Sequence, residues 1–114
     1  MSDNLDSLLR EAVDDAKAIF KDKLVSVILF GSYARGDFDT ESDIDVMIIA
    51  DIHADETPQY RVELNKTAGR LSLNTESCTT FCILLQDTAT FRKYQNYLPF
   101  YRNILNEGVT LYAS

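Results

Sequence analysis

The strongest constraint on the fold is a polar connection between two short apolar runs. Residues 25–30, Val-Ser-Val-Ile-Leu-Phe, lead directly into Gly31-Ser32, and residues 46–50, Val-Met-Ile-Ile-Ala, follow an Asp-Ile-Asp triplet. Short runs rich in valine and isoleucine, bounded by glycine, serine and aspartate, are typical of strands in a sheet. The pattern therefore predicts two consecutive strands whose connection carries a glycine, a serine and a pair of carboxylates.

Asp43 and Asp45 open the second of these strands. Side chains alternate between the two faces of a strand, so both carboxylates point the same way if the segment is extended. Carboxylates this close repel each other, and such a pair is usually tolerated when it binds a cation or faces open water. Mg²⁺ prefers oxygen ligands, typically one or two carboxylates with phosphate and water. We therefore predict that Asp43 and Asp45 bind Mg²⁺; the alternative is a solvent-exposed pair at the start of a strand.

Gly31 and Ser32 are suited to hold a phosphate group. Glycine lets the backbone approach a phosphate closely, and the serine hydroxyl can donate a hydrogen bond to it. A helical turn that starts near Ser32 would add free amide groups for an anion. The alternative is an ordinary tight turn after a strand, and the nearby aspartate pair favours the phosphate site.

Two further polar residues of the connection have less specific roles. Arg35 either contacts a phosphate or braces the turn by pairing with an acidic neighbour, which would be Asp37, Asp39 or Glu41. We weigh these two roles equally. Ser42 is expected to be structural and to cap the turn before the second strand.

Hydrophobic spacing along the whole chain predicts one mixed α/β domain over residues 1–114. The expected architecture is an α+β arrangement in which helices flank a short mixed sheet of three to four strands. Thr88 is a suitable N-cap for a helix, and Gly108 is a suitable C-terminal glycine. The predicted helices are 3–21, 59–71, 88–96 and 100–106; the predicted strands are 24–30, 44–50 and 78–85, with a loop at 51–58 and a short extended piece at 109–112.

Composition argues against some classes of function. The chain has 18 acidic and 11 basic residues and a formal net charge of −7, whereas proteins that follow a nucleic-acid backbone usually carry a basic surface. No apolar run approaches the length of a membrane span and the N-terminus is polar and acidic, so a cytoplasmic location is expected. Cys78 and Cys82 are expected to be reduced core thiols, because side chains four residues apart on a strand point in parallel.

The spacing within residues 31–45 resembles a known signature. It is similar to the G-S-x-x-R-G-x(5)-S-D-x-D motif of the DNA polymerase β-like nucleotidyltransferase superfamily, which specifies seven positions within fifteen residues. More narrowly, the chain resembles a minimal nucleotidyltransferase, a small class often encoded beside a HEPN-domain protein in toxin–antitoxin pairs. Residues 98–109 also resemble the ending common in this group.

The resemblance implies a small nucleotidyltransferase core and a magnesium-dependent transfer. Such an enzyme moves AMP, or another nucleoside monophosphate, from ATP or another nucleoside triphosphate to an acceptor hydroxyl. The implied acceptor is a partner protein, such as a tyrosine on a HEPN-type toxin, and this chain would then be the antitoxin. The implied site has Asp43 and Asp45 as catalytic metal ligands, with Gly31, Ser32 and Arg35 at the nucleotide.

The superfamily normally uses a third carboxylate, on the strand beside the aspartate pair, as a base toward the incoming hydroxyl. The matching position here lies near Cys78, and the nearest acid is Glu76, at the entrance of the predicted strand 78–85. Glu76 is therefore the candidate base. If no acid takes this role, the chain would be a catalytically weak or inactive antitoxin that neutralises its partner by binding. Transfer to a small molecule is a further alternative, and transfer to a nucleic acid is disfavoured by the acidic charge.

Overall fold

A four-stranded mixed sheet with helices on both faces makes up the structure of the chain. The computed structural model describes residues 3–39, 41–76 and 79–114. The strands are β1 (Leu24–Phe30), β2 (Ile44–Ala50), β3 (Phe81–Asp87) and β4 (Val109–Ala113), and the helices are α1 (Asp3–Phe20), α2 (Ser32–Arg35), α3 (Thr57–Leu73), α4 (Thr88–Tyr94) and α5 (Pro99–Glu107). This confirms the predicted mixed α/β fold with a sheet of three to four strands. Within the described ranges, no helix has both the length and the apolar character needed to cross a membrane.

The strand order brings the ends of three strands together. The order across the sheet is β3-β2-β1-β4; β1 is antiparallel to β2 and β4, whereas β2 and β3 are parallel. A parallel pair needs a crossover connection, which α3 supplies. The C-terminal end of β1 therefore meets the N-terminal ends of β2 and β3 at one end of the sheet. There Phe30, Asp45 and Cys82 are in register across the three strands.

Alternation along the strands divides the core between the two faces of the sheet. On one face, α1 and α3 cover a large cluster that includes Leu8, Ala12, Val27, Leu29, Val46, Ile48, Leu64 and Leu71. On the other face, α4 and α5 cover a smaller cluster of Ile28, Met47, Ile49, Phe91 and Ile104. Asp45 is two residues before Met47 on β2, so the side chains of both lie on the face that α4 and α5 cover.

The third strand begins later than the sequence pattern predicts. β3 starts at Phe81 rather than at residue 78, and Glu76 lies in the turn that follows α3. The Thr79 amide donates a hydrogen bond to the Thr75 hydroxyl oxygen at 2.7 Å. Such side-chain hydrogen bonds compete with strand pairing, and the Thr79 amide takes part in this one before β3 begins. Residues 77 and 78, and with them the expectation for Cys78, lie outside the described residues.

The predicted loop at 51–58 is also shorter than expected. A short 3-10 helix spans Ala54–Glu56, and α3 then begins directly at Thr57. Pro58 lies in the first turn of α3, where the missing amide hydrogen of proline costs no helical hydrogen bond. Thr57 and Pro58, the last two residues of the predicted loop, are therefore helical.

Two predicted helix signals act differently in the structure. Asp87, not Thr88, is the N-cap of α4, because the Asp87 carboxylate accepts a hydrogen bond from the Thr90 amide at 2.9 Å. Gly108 has the extended angles φ −70° and ψ 152° rather than the left-handed conformation of many helix-ending glycines. A Cβ at Gly108 would collide with the Ile104 carbonyl oxygen and with a side chain of β1. Glycine is needed here for the close approach of α5 to the sheet.

We expect Asp87→Ala to lower the free energy of unfolding by about 1–2 kcal/mol. The Asp87 side chain is buried and accepts hydrogen bonds from the Thr90 amide at 2.9 Å and from Nε2 of Gln86 at 3.1 Å. Removing the carboxylate leaves both donors without this acceptor. Urea unfolding of the wild type and the variant at neutral pH measures the difference.

The Asp87 contribution is also expected to depend on pH. Burial acts to raise the pKa of this carboxyl, but the hydrogen bonds from Thr90 and Gln86 outweigh burial and the net pKa is lowered. The stabilisation is therefore fully present above the unfolded-state pKa of about 3.9 and is lost as the pH falls through the folded-state pKa. Asp87→Asn keeps a capping oxygen and is the matched control, with a smaller expected cost. Equal stability of wild type and Asp87→Ala at neutral pH would contradict the assigned cap.

Candidate functional site

The turn after β1 has a backbone conformation that glycine adopts far more readily than other residues. Gly31 has φ 74° and ψ −157°, and α2 begins at the next residue, Ser32. The amides of Ala34 and Arg35 each donate to the Gly31 carbonyl oxygen at 3.1 Å. The Ser32 and Tyr33 amides are the first of this helical turn and have no acceptor within it. The structure thus places a half-buried serine and a helical turn directly after the strand, as the sequence predicts.

The aspartate pair lies beside this turn. Asp45 is half-buried on β2, and Asp43 is exposed just before the strand. A Cβ at Gly31 would lie 2.5 Å from Oδ2 of Asp45, so a larger residue here would displace the carboxylate or the turn. Burial raises the pKa of Asp45, the charge of Asp43 raises it further, and the Arg35 guanidinium acts in the opposite direction. The turn and the two carboxylates therefore form one electrostatically coupled site.

Cys82 occupies the position on β3 beside Asp45. Phe30, Asp45 and Cys82 are in register, so their side chains form a row on the face covered by α4 and α5. Burial raises the pKa of the Cys82 thiol, and the charges of Asp45 and Asp43 raise it further. The thiol is therefore neutral at neutral pH.

This register bears on the expectations about the third strand. Cys82 is the residue of β3 in register with Asp45, whereas the position expected to match a third carboxylate, near Cys78, lies outside the described residues. Cys82 is a free, half-buried neighbour of the aspartate pair rather than a core thiol. Glu76, the predicted base, is exposed in the turn before β3, and its catalytic role stays a prediction.

Arg35 braces the turn against the C-terminal helix. Its Nε donates to Asp37 at 3.2 Å, and its Nη1 donates to Glu107 of α5 at 3.4 Å. The first contact confirms one of the predicted pairings. Glu107 was not predicted, because it is 72 residues away in the sequence and no local pattern connects the two. Contact of Arg35 with a phosphate stays a prediction.

Local contacts order the rest of the connection. The Asp39 amide donates to Oγ of Ser42 at 3.0 Å, and the Glu41 amide and the Ser42 hydroxyl donate to Oδ1 of Asp39 at 2.9 Å and 3.2 Å. These bonds close a turn before β2 and confirm the structural role of Ser42. The rings of Tyr33 and Phe38 stack with centroids 4.2 Å apart and planes 4° from parallel.

Two clefts flank the site. One, of about 330 Å³, is lined by Gly31 and Arg35 of the turn together with Phe30, Phe100, Asn103, Ile104 and Glu107. The other, of about 510 Å³, extends from Asp43 and Cys82 along β3 to Phe100 and Tyr101. Both volumes lie in the range of small-molecule sites, about 300–1,000 Å³.

The two carboxylates suit a magnesium ion better than they suit a structural metal site in which the protein supplies every ligand. Within the described residues, no group of three or more His, Cys, Asp or Glu side chains is arranged to hold a metal ion. Asp43 and Asp45 supply two carboxylates, and Mg²⁺ commonly completes such a set with water and substrate phosphates. A structural zinc site would need four protein ligands. The arrangement can thus hold a phosphate compound and its cation next to an open cleft.

Comparison with known proteins gives concordant matches. A family model described as "Nucleotidyltransferase domain" matches residues 9–109. A relative in Methanocaldococcus jannaschii, named "Putative protein adenylyltransferase MJ0604", is 33% identical over 109 residues, which is 96% of this chain and 99% of the relative. A second protein of that organism, "Putative protein adenylyltransferase MJ0141", is 47% identical over 66 residues, which is 58% of this chain and 65% of that relative.

Solved structures share the fold at low sequence identity. A mutant of the toxin–antitoxin MntA–HpeT matches with a TM-score of 0.53 and 18% identity over 91% of this chain and 73% of that chain. A toxin–antitoxin structure with AMP-PNP matches with a TM-score of 0.53 and 21% identity, over 91% of this chain and 73% of that chain. At such identities the likeness concerns the fold.

Proposed function

This chain belongs to the nucleotidyltransferase domain family, and on that premise we propose that it transfers AMP, or another nucleoside monophosphate, from magnesium-bound ATP or a related triphosphate to a hydroxyl of a partner protein. The observation that carries this proposal is the close approach of Gly31 to Asp45, which joins a glycine-serine turn to a half-buried carboxylate pair. A protein acceptor is supported by the relative whose name describes a protein adenylyltransferase and which aligns over 99% of its length.

The chain's residues divide between the phosphates and the metal in this proposal. The Ser32 hydroxyl and the first amides of α2 would bind the β- and γ-phosphates, with Gly31 allowing the close approach. Asp43 and Asp45 would hold Mg²⁺, which when bound neutralises charge on the triphosphate and polarises the α-phosphate. Arg35 would bring a further positive charge to the phosphates from its braced position at the turn.

The transfer forms one bond and breaks one bond at the α-phosphorus. The acceptor oxygen bonds to the α-phosphorus, the bond to the oxygen bridging the α- and β-phosphates breaks, and pyrophosphate leaves. The proton of the acceptor hydroxyl passes to a base. Glu76 is the candidate base in this proposal, because the neutral thiol of Cys82 beside Asp45 is a poor proton acceptor.

The proposed acceptor is a toxin of the HEPN type, which this chain would neutralise as its antitoxin. The support is that two structures sharing the fold are toxin–antitoxin structures, one of them with AMP-PNP. The net charge of −7 disfavours a nucleic-acid acceptor. A cytoplasmic location, where thiols stay reduced, is part of the same proposal.

A second candidate function is neutralisation of the partner by binding alone. The observation that favours it is the neutral thiol of Cys82 in register with Asp45, on the strand where a third carboxylate would complete the site. In that case the fold acts as a scaffold, and the aspartate pair has no role in inhibition.

A label-transfer experiment separates the two functions. α-³²P-ATP and Mg²⁺ are incubated with this chain and the protein encoded beside it, and label in that protein is measured. We expect label with the wild type but not with Asp43→Ala. Asp51→Ala is the matched control, since Asp51 is an exposed aspartate at the far end of β2, and it should retain labelling. No label with the wild type, together with inhibition of the partner that survives Asp43→Ala, would favour binding alone.

A further inference from the structure

We propose that the ring of Phe100 is the surface on which the nucleobase of the substrate stacks, an inference that rests on the proposed function. Phe100 is the second residue of α5, and it is 42% exposed, which is high for a phenylalanine. Among the described residues, Phe100 alone lines both clefts that flank the site. A nucleotide that enters either cleft therefore meets this ring.

The ring lies on the same face of the sheet as the aspartate pair. The centroids of the Phe100 and Phe30 rings are 5.7 Å apart. Phe30 is the register partner of Asp45 and precedes Gly31. A triphosphate held at the turn and the carboxylates would thus extend its nucleoside along this face, where Phe100 borders the same cleft as Gly31 and Arg35.

Contacts behind the ring hold it in place. The Tyr101 ring lies nearly parallel to the Phe100 ring, with centroids 5.7 Å apart and planes at 6°. The Tyr101 and Phe91 rings are close to perpendicular, with centroids 5.0 Å apart. The Tyr101 hydroxyl donates to Oε1 of Gln86 at 2.8 Å, and the side chain of Ile104, one turn further along α5, is buried. A surface that is ordered before binding loses little entropy when the ligand arrives.

The chemistry of the cleft suits a base. Aromatic rings stack on any nucleobase, because every base has a π-face. Asn103 lines the same cleft, is exposed, and carries an amide that can both donate and accept hydrogen bonds at a base edge. An exposed ring could instead contact a partner protein, but the shared cleft with Gly31 and Arg35 favours the nucleotide.

Phe100→Leu tests the stacking surface, because it keeps an apolar side chain and removes the π-face. We expect it to weaken ATP binding in the presence of Mg²⁺ by about 5- to 100-fold, as for other base-stacking aromatics. Binding of inorganic tripolyphosphate, which has no base, should be unchanged. Tyr97→Leu is the matched control, since Tyr97 is 76% exposed and lines neither cleft. Isothermal titration calorimetry of the wild type and the two variants with each of the two ligands measures these six affinities.

Phe100→Trp gives an independent readout and should preserve ATP binding. The chain contains no tryptophan, so this variant has a single indole fluorophore. ATP should quench its fluorescence and tripolyphosphate should not, whereas Tyr97→Trp should respond to neither. These spectra also report whether the variant is folded.

The failures of the two proposals are distinguishable. If the wild type binds ATP and Phe100→Leu binds it equally well, stacking is overturned and the proposed function stays intact. Stacking is likewise overturned, and the proposed function stays intact, if Phe100→Leu weakens only the complex with the partner protein. Equal weakening of ATP and tripolyphosphate would assign the ring a purely structural role. A wild type that binds neither compound would overturn both proposals.

Discussion

Asp45→Asn is expected to lower the rate of nucleotidyl transfer by about 10²- to 10³-fold. The substitution keeps the size and position of the side chain but removes one of the two negative charges proposed to hold Mg²⁺ beside Gly31. A catalytic metal stabilises transition-state charge by several kcal/mol, and each 1.36 kcal/mol corresponds to about tenfold in rate. Even partial loss of the metal therefore produces a large effect.

The same substitution is expected to leave the magnesium-free protein at least as stable as the wild type. Burial raises the pKa of Asp45, Asp43 raises it further, and Arg35 opposes both. A raised carboxyl pKa means that the charged form is less favourable in the folded state. The resulting destabilisation is present above the folded-state pKa and absent below the unfolded-state pKa of about 3.9. The increase in stability from Asp45→Asn should thus appear at neutral pH and disappear in acid.

Two measurements separate these effects. Urea unfolding with a chelator present gives the stability, and label transfer with Mg²⁺ gives the activity. Asp43→Asn is the matched comparison: it should lower transfer to a similar extent but change stability less, because Asp43 is exposed. Unchanged transfer in Asp45→Asn would exclude Asp45 as a metal ligand. A loss of stability would indicate that the carboxylate has a structural partner.

Gly31→Ala is expected to lower both stability and transfer. A residue other than glycine at φ 74° and ψ −157° costs about 1–3 kcal/mol. In addition, the new Cβ would lie 2.5 Å from Oδ2 of Asp45, so the carboxylate or the turn must move. A displacement of about 1 Å in a catalytic group can cost about 10²-fold in rate. We therefore expect transfer to fall by at least about 10²-fold.

Gly36→Ala is the matched control for this change. Gly36 also has a positive φ, 84°, but apart from its two chain neighbours no described residue has an atom within 4 Å of where its Cβ would be. Urea unfolding should show that both alanine variants are destabilised by backbone strain, while label transfer should be lost only in Gly31→Ala. Similar transfer by the two variants would show that the contact with Asp45 has no role in the site.

The turn and the aspartate pair could be predicted from the sequence because the residues that indicate them are close together in the chain. Gly31 and Ser32 follow an apolar run directly, and Asp43 and Asp45 share a face through simple alternation. Ser42 closes its turn with a residue three positions away. Such features depend on neighbours in the chain, and the sequence lists those neighbours in order.

The start of β3 could not be recognised in this way. An apolar, threonine-rich stretch from residue 78 has the composition of a strand, but the Thr79 amide donates to the Thr75 hydroxyl oxygen and β3 begins only at Phe81. The parallel pairing with β2 is then what brings Cys82 beside Asp45. Neither the hydrogen bond nor the register leaves a periodic signal in the sequence.

The sequence by itself determined the mixed fold and a glycine-serine turn followed by a pair of aspartates, because alternation, turn residues and the motif spacing all act over short distances. Only the tertiary structure decided which side chains surround that turn. Glu107 reaches Arg35 from α5, Cys82 meets Asp45 across two parallel strands, and Phe100 borders both clefts. These contacts join residues far apart in the chain, and they depend on strand register and on how α5 packs over the sheet.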